Sequence, residues 1–135
     1  MSASTKRDLL IVTCAVSAGV HTALVPEHLE ESTAAGAGFI AAAIILGALV
    51  VAITVRPAAR ATVAAAALTF AGLIVSYALA TTVGMPVLMP EPEPVDGLAL
   101  ATKAVELAGL AAALGLLRRE STNPFTLRNR RGVPA

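Results

Sequence analysis

The sequence has few charged and few aromatic side chains. Charged residues make up 14% of the 135 residues, where soluble domains carry roughly a quarter, and there is no Trp, one Tyr and three Phe. The single cysteine, Cys14, excludes an internal disulfide and a Cys-x-x-Cys redox centre. The formal net charge of +1 argues against a nucleic-acid partner. What remains is an apolar chain with a mean hydropathy of +0.78, a composition that suits helices packed closely in lipid.

Four long apolar runs divide the chain, and none alternates apolar with polar residues as a membrane β-strand would. They cover residues 9–25, 34–55, 61–83 and 98–117. A membrane-spanning helix needs about 20 such residues, within a range of roughly 17–25. Pro26 is predicted to end the first helix, because proline cannot continue the backbone hydrogen bonding. We therefore predict an all-α fold, an integral membrane up-down-up-down four-helix bundle over residues 1–117. A basic cytoplasmic tail over residues 118–135 is predicted to follow it.

The basic and acidic residues alternate between the predicted ends of the bundle. Positive charge marks the N-terminus, the second loop and the tail, at Lys6, Arg7, Arg56, Arg60, Arg118, Arg119, Arg128, Arg130 and Arg131. The first and third loops hold no Lys or Arg, and their acids are Glu27, Glu30, Glu31, Glu91, Glu93 and Asp96. Because cytoplasmic loops carry the Lys and Arg excess, this pattern predicts a multi-pass protein of the cell membrane with both termini in the cytoplasm.

A cleaved signal peptide is the alternative for the first run. It is disfavoured because His21 and Pro26 stand where a small-residue cleavage site is expected.

Two histidines and several carboxylates are predicted to meet in the outer half of the bundle. Glu106 lies about nine residues into the fourth helix, and a charge at that depth needs a partner, which Lys103 offers at i,i+3. The predicted metal or proton site consists of His21, Glu27, His28 and Glu106. Its predicted supporting residues are Glu31, Tyr77, Thr81, Thr82 and Lys103. Imidazole with carboxylate suits a divalent transition metal such as zinc or copper, and it equally suits a proton relay, so the cofactor stays open.

Simpler roles compete with this interpretation. His21 can hydrogen-bond a backbone carbonyl and do nothing else, and Glu106 with Lys103 can form a purely structural pair. Tyr77 can serve as packing or as an interfacial anchor. The remaining loop acids, including Glu31 and Glu93, are interpreted as solvated charges that enforce the topology.

The stretches "HTALVPEH", "TTVGMP", "EPEPVDG" and "ATKAVELA" carry a resemblance. The chain resembles the small four-helix membrane proteins common in actinobacteria over most of its length up to Leu117. The pattern that they share falls here on His21, the Pro-Glu-His turn at 26–28, the Thr-x-Gly-x-Pro at 82–86, the acidic loop at 91–96 and Glu106. Family members often have Arg before that Thr, where this chain has Thr81. They also often have Asp early in helix four, where this chain has Ala or Lys. The resemblance implies a membrane location and a residue list, and no reaction.

Two functions follow as expectations. The first is a binding or transport protein of the lipid bilayer that uses the His/Glu site. The second is a structural or accessory subunit without chemistry of its own, in a homo-oligomer or a larger membrane complex, with small-residue faces at 34–38, Gly47 and 109–115. An enzyme is disfavoured, and no catalytic residue is predicted, because the sequence shows no nucleophile–base pair and no cofactor motif.

Overall fold

The computed structural model describes residues 1–85 and 92–121, which fold into four α-helices. The helices are α1 (Ala3–Glu31), α2 (Thr33–Val55), α3 (Arg60–Thr82) and α4 (Gly97–Ser121). The predicted all-α four-helix bundle is thereby confirmed. The predicted segments at 86–91 and 122–135, which include Pro86, Glu91 and most of the basic tail, lie outside the described residues.

The helices pack in a ring in which each contacts its neighbours in the chain and α1 also contacts α4. The α1–α2 seam is the most extensive and the α2–α3 seam the least. The end of the bundle that carries the α1–α2 connection is called the acidic end below, for Glu27, Glu31, Glu93 and Asp96. The opposite end, with Lys6, Arg7, Arg56, Arg60 and Arg118, is called the basic end. There the Lys6 Nζ donates to the Gly115 carbonyl at 3.2 Å and joins the start of α1 to the last turns of α4.

Helix α1 runs six residues beyond the predicted end, so the prediction that Pro26 terminates it was wrong. Proline removes one backbone hydrogen bond from a helix, but membrane helices tolerate it where neighbouring helices support the segment. Here Leu29 packs onto Gly36 of α2, close enough that a Cβ on Gly36 would collide with it. The longer α1 places His21 and His28 two turns apart on one helix face.

A single residue, Ser32, connects α1 to α2. Its backbone N–H donates to the His28 carbonyl at 3.0 Å, which closes α1. Its hydroxyl accepts a hydrogen bond from the Ala35 N–H, which caps α2. The backbone of Ser32 is extended, so the reversal needs no glycine. Because Ser32 caps both helices, the connection between α1 and α2 is one residue long, far shorter than the gap between the apolar runs at 9–25 and 34–55.

The interior is divided along the bundle axis. Toward the basic end it is apolar, around the fully buried Leu10, Leu46 and Phe70. Toward the acidic end it becomes more polar, and the buried polar side chains among the described residues are those of Thr13, Ser17, His21, His28, Thr102 and Glu106. A polar interior at one end only is a costly arrangement, so these groups must find partners there.

Large apolar side chains cover the outside of the bundle. Leu68 is 75% exposed, Ile44 66% and Val51 61%, and less than a third of each hydrophobic segment is buried within the bundle. All four helices are long and apolar enough to cross a membrane. A surface of this kind aggregates in water but matches the hydrocarbon of a bilayer. The fold is therefore that of a multi-pass membrane protein.

Gly109 allows α4 to pack closely against the buried ring of Phe70. A Cβ at this position would meet the Phe70 ring and the Thr13 hydroxyl, whereas a Cβ on Gly72 would meet nothing within 4 Å. We expect Gly109→Ala to lower the free energy of unfolding by about 1–3 kcal/mol through overpacking. Gly72→Ala, the matched control, should be neutral or stabilising because alanine favours the helix. Thermal unfolding in detergent measures both, and equal behaviour of the two variants would contradict the packing at Gly109.

Candidate functional site

A buried hydrogen-bond network joins α1 to α4. The Ser17 hydroxyl donates to Glu106 Oε1 at 3.0 Å, and both side chains are fully buried. One turn further along α1, His21 Nδ1 lies 2.8 Å from the Ser17 carbonyl and 3.4 Å from the Ser17 hydroxyl. Because a carbonyl only accepts, Nδ1 carries a proton, and in the neutral form of the ring Nε2 is then an acceptor. Glu106 and His21 therefore meet through Ser17 rather than directly.

Lys103 neutralises Glu106. Its Nζ lies 2.5 Å from Glu106 Oε2, which forms the i,i+3 pair predicted from the sequence. The same ammonium stands 5.2 Å from the centroid of the Tyr77 ring, a cation–π arrangement. Both oxygens of the buried carboxylate are thus satisfied, one by Ser17 and one by Lys103. Such a pair is tolerated inside a membrane because it brings no net charge.

The closeness of Ser17 and His21 raises the question of whether they act as a nucleophile and its base. Ser17 is fully buried, and its hydroxyl hydrogen points to Glu106 rather than to His21. A nucleophile needs an exposed oxygen whose proton faces the base. The geometry therefore does not suit Ser17 as a nucleophile that His21 activates.

His28 occupies the corresponding position two turns nearer the acidic end. Its Nδ1 lies 2.9 Å from the Leu24 carbonyl, the same i−4 arrangement as at His21. Its ring stacks on Phe39 of α2, with the centroids 3.7 Å apart and the planes at 27°. Phe39 also contacts His21 at a centroid distance of 5.3 Å. Fixing Nδ1 and the ring plane leaves Nε2 of His28 oriented and available, as second-shell hydrogen bonds do for metal-binding histidines.

Glu93 reaches His28 from the segment between α3 and α4. Its backbone N–H donates to the Ala80 carbonyl at 3.0 Å, which ties the segment to the last turns of α3. One of its carboxylate oxygens, Oε1, lies 3.8 Å from His28 Nε2, and the side chain is 29% exposed. Burial raises the pKa of Glu93 above its usual value, against the opposing charge of His28. Glu93 is therefore only partly solvated and contacts a buried histidine, which its interpretation as a solvated loop charge did not include.

Glu31 completes a cluster of three ligand-type side chains with His28 and Glu93. Each residue offers one ligand atom, and these atoms all lie within 4.8 Å of one another. We call His28, Glu31 and Glu93 the rim cluster. It borders a cavity of about 190 Å³ that extends inward to His21 and Lys103.

The other residues predicted for the site lie differently. Glu27 is exposed and lines the rim cavity without joining the cluster. The hydroxyls of Thr81 and Thr82 donate to carbonyls of their own helix, to Tyr77 and Ala78, and neither residue lines a cavity described here. Asp96 accepts a hydrogen bond from the Ala99 N–H at 2.7 Å and so caps α4. Of the four residues predicted as one site, His21 and Glu106 lie in the buried network, His28 lies in the rim cluster, and Glu27 lies in neither.

Sequence reasoning missed Ser17, Phe39 and Glu93 as parts of these groups. For Ser17 a signal existed, because it lies four residues before His21 and eleven before His28, all on one helix face. Phe39 gave no signal of its own within an apolar run. Glu93 lies in an irregular segment, where no periodicity indicates which acid turns inward.

Comparison with protein families, with curated proteins and with solved structures found no match to this chain. Its class therefore rests on its own features: a multi-pass four-helix membrane protein with a polar interior at one end and a His/Glu group at the mouth.

Proposed function

We propose that this protein binds a divalent transition-metal cation at the rim cluster, as a binding or transport protein of the cell membrane. The single observation that carries the proposal is the convergence of one imidazole and two carboxylates within 4.8 Å. The positive-inside pattern supports an outward-facing acidic end with both termini in the cytoplasm. The site would then meet cations outside the cell.

The chemistry of the rim cluster favours zinc or a similar borderline metal. Zinc takes imidazole nitrogen at about 2.0–2.1 Å and carboxylate oxygen at about 2.0–2.2 Å, and it accepts three protein ligands with a fourth position open. The ligand atoms need to move together by about 1 Å to reach such distances. Glu31 is exposed in the last turn of α1 and can make that movement. An open fourth position suits a site that must release its cation again.

The surrounding charge supports cation capture. Glu27 and Asp96 line the same cavity and add two carboxylates beside the rim cluster. A mouth lined by one sign of charge raises the local concentration of the opposite ion. Deeper in the cavity, the Lys103 ammonium repels a cation, so the rim rather than the Glu106 region is the favoured resting place.

Zinc titration of the purified protein tests the proposal. We expect the chelator-treated full chain in detergent to bind one equivalent of Zn²⁺ by calorimetry. His28→Ala and Glu31→Gln should each weaken binding at least about tenfold, because even second-shell changes weaken metal sites 10–100-fold. Glu30→Gln is the matched control, since Glu30 is exposed on the same helix and outside the cluster.

Three outcomes would overturn the metal site. The first is a protein that binds no Zn²⁺, and the second is an equal loss in the Glu30→Gln and Glu31→Gln variants. The third is binding that depends on Glu106 but not on His28, because it would place the metal in the buried network.

A second candidate function is an accessory subunit or homo-oligomer, favoured by the outer face of α1. Ala15, Gly19 and Ala23 are exposed there at a spacing of four residues, and a Cβ on Gly19 would meet nothing within 4 Å. Small residues at this spacing allow membrane helices to approach closely. Gly36 and Gly109 of the predicted small-residue faces pack inside the bundle instead. Cross-linking in vesicles, with Gly19→Leu as the disrupting variant, tests whether α1 joins another chain.

A further inference from the structure

A second cavity lies between α2 and α3 and adjoins the rim cavity, with which it shares His21, Glu93 and Lys103 among its lining residues. It measures about 190 Å³. Its walls are one stripe from each helix at i, i+3, i+4 and i+7 spacing, which places each stripe on a single helix face. The stripes are Ala35, Gly38, Phe39 and Ala42 of α2, and Leu73, Ser76, Tyr77 and Ala80 of α3. We call this cavity the α2–α3 crevice.

The edge of the crevice reaches the outer surface of the bundle, which faces lipid in a membrane-spanning fold. Gly38 and Ser76 on its edge are exposed, whereas Ala35, Ala42 and Ala80 are buried. It lies toward the acidic end of the seam with the least contact, while the same two helices pack together around Phe70 further along. Because each wall of the crevice is a single row of side chains, the crevice has room for one extended hydrocarbon chain but not for a lipid with two chains.

The back of the crevice is polar and incompletely paired. The Tyr77 hydroxyl oxygen is buried and has no hydrogen-bond partner among the described residues. Buried polar atoms without a partner are rare, and they mark places where a water or ligand belongs. Lys103 also lines the crevice and uses one of its three N–H donors on Glu106. His21 lines it too and offers Nε2 as an acceptor, since Nδ1 is held by Ser17.

We propose that the α2–α3 crevice binds a free fatty acid, with its chain between the two helices and its carboxyl group at Tyr77, Lys103 and His21. The carbonyl oxygen accepts from the Tyr77 hydroxyl and from a Lys103 N–H. The acid O–H donates to His21 Nε2. One head group thus meets two donors and one acceptor. It also adds no net charge beside the neutral Lys103–Glu106 pair, which favours an uncharged acid over a free anion.

The head group must supply the selectivity. Moving an acyl chain from the bilayer into an apolar crevice gains little, because lipid tails are as apolar as the helices. Hydrogen bonds to buried polar groups are worth far more where water is absent. A methyl ester of the same acid keeps the chain and loses the O–H donor, so it is the matched control ligand.

The chain carries its own reporter for this site. It has one tyrosine, Tyr77, and no tryptophan, so its intrinsic fluorescence reports on the back of the crevice, where the crevice adjoins the rim cavity. The full chain is reconstituted in phosphatidylcholine vesicles, and a fatty acid brominated along its chain is added as a contact quencher. We expect the acid to quench Tyr77 at about a tenfold lower mole fraction than its methyl ester, as loss of one buried hydrogen bond implies. Brominated phosphatidylcholine should behave like the ester.

Two glycines of α2 provide matched protein variants. A Cβ on Gly38 or on Gly47 would meet nothing within 4 Å, so both positions accept a larger side chain, but only Gly38 lines the crevice. Gly38→Leu is expected to fill the crevice and remove the advantage of the acid over the ester. Gly47→Leu should retain it. Circular dichroism and gel filtration verify folding, and if Gly38→Leu does not fold, the acid–ester comparison on the unaltered protein decides alone.

The outcomes separate this inference from the metal proposal. Equal quenching by acid, ester and phospholipid would overturn it, because Tyr77 would then only be meeting bulk lipid. Preferential quenching by phospholipid would overturn it in favour of a bilayer lipid. Zn²⁺ titration of Gly38→Leu should match that of the unaltered protein, because Gly38 is not part of the rim cluster. A failed metal site and a failed crevice are therefore distinguishable.

Discussion

Replacing Lys103 by methionine is expected to lower the free energy of unfolding by about 3–5 kcal/mol, the penalty typical of removing one partner from a buried ion pair. Glu106 is fully buried, and Lys103 contacts its Oε2 at 2.5 Å. The variant keeps a similar side-chain volume but leaves the carboxylate with the Ser17 hydroxyl alone. Reversible unfolding in mixed detergent micelles measures the change.

The double variant Lys103→Met with Glu106→Gln is expected to recover most of the loss. Glutamine keeps an oxygen for the Ser17 hydroxyl and carries no charge, so nothing in the interior is left uncompensated. Glu106→Gln alone should also destabilise, because its amide then faces an unpaired ammonium. The coupling energy from this double-mutant cycle isolates the pair from its surroundings.

Lys6→Met is the matched control for this cycle. Lys6 is also half-buried, but it donates only to a backbone carbonyl at the basic end, so its loss should cost about 1 kcal/mol or less. If Lys103→Met were no worse than Lys6→Met, the buried carboxyl would not depend on the ammonium, and the ion pair would not be what keeps Glu106 inside the bundle.

The membrane fold was predictable because long apolar runs leave few alternatives. A stretch of about 20 residues without charge has to be a helix in lipid, since every backbone polar group must be paired within it. Three of the four runs contain no Asp, Glu, Lys or Arg, and the two charges in the last run form the predicted pair. The Lys103–Glu106 pair was predictable because it depends only on the spacing of two residues along one helix.

The end of α1 was predicted wrongly at Pro26 because the true end depends on contacts with another helix. A proline within a helix is stabilised or rejected by contacts from elsewhere in the chain, here the packing of Leu29 on Gly36 and of His28 on Phe39. Those contacts belong to α2 and cannot be derived from the residues around the proline. Ending α1 early also separated His28 from the helix face of His21, which concealed the regular seven-residue spacing.

The sequence could not predict which side chains meet in the site, because this depends on how the helices are rotated and on an irregular segment. That Glu106 faces inward could be predicted from the cost of exposing it to lipid. Whether it faces α1 or another helix depends on how α4 is rotated about its axis, and Ser17 reveals this only once the helices are in place. Glu93 joins His28 because a backbone hydrogen bond to Ala80 holds its segment there, a long-range contact with no pattern in the sequence.

Lowering the pH from 7 to 5 is expected to weaken Zn²⁺ binding by about a hundredfold, because the imidazole and the carboxylates must be free of protons to bind metal. The raised pKa of Glu93, caused by burial, brings its proton into competition nearer to neutrality than for an ordinary carboxyl group. Glu93→Gln should weaken binding at pH 7 and also flatten its pH dependence. Calorimetric titrations at several pH values measure both effects.

Asp96→Asn is the control for Glu93→Gln. Asparagine caps a helix about as well as aspartate does, so α4 keeps its N-terminal hydrogen bond while one charge near the rim disappears. This variant should bind Zn²⁺ somewhat more weakly and keep most of the pH dependence, because burial, the main cause of the raised pKa of Glu93, is unchanged while the smaller effect of the Asp96 charge is lost. A pH profile for Glu93→Gln that is as steep as that of the unaltered protein would show that Glu93 is not a ligand.

Glu93 should have opposite effects on the stability of the metal-free and the Zn²⁺-bound protein. A folded-state pKa above that of the unfolded chain means that folding favours the protonated carboxyl. Its contribution to stability is therefore greatest at low pH and declines as the pH rises through the folded-state pKa of Glu93. At pH 7 without metal, Glu93→Gln should slightly stabilise the protein, whereas with Zn²⁺ bound it should destabilise it. A carboxylate kept where it weakens the empty fold is typical of a ligand site rather than of a structural contact.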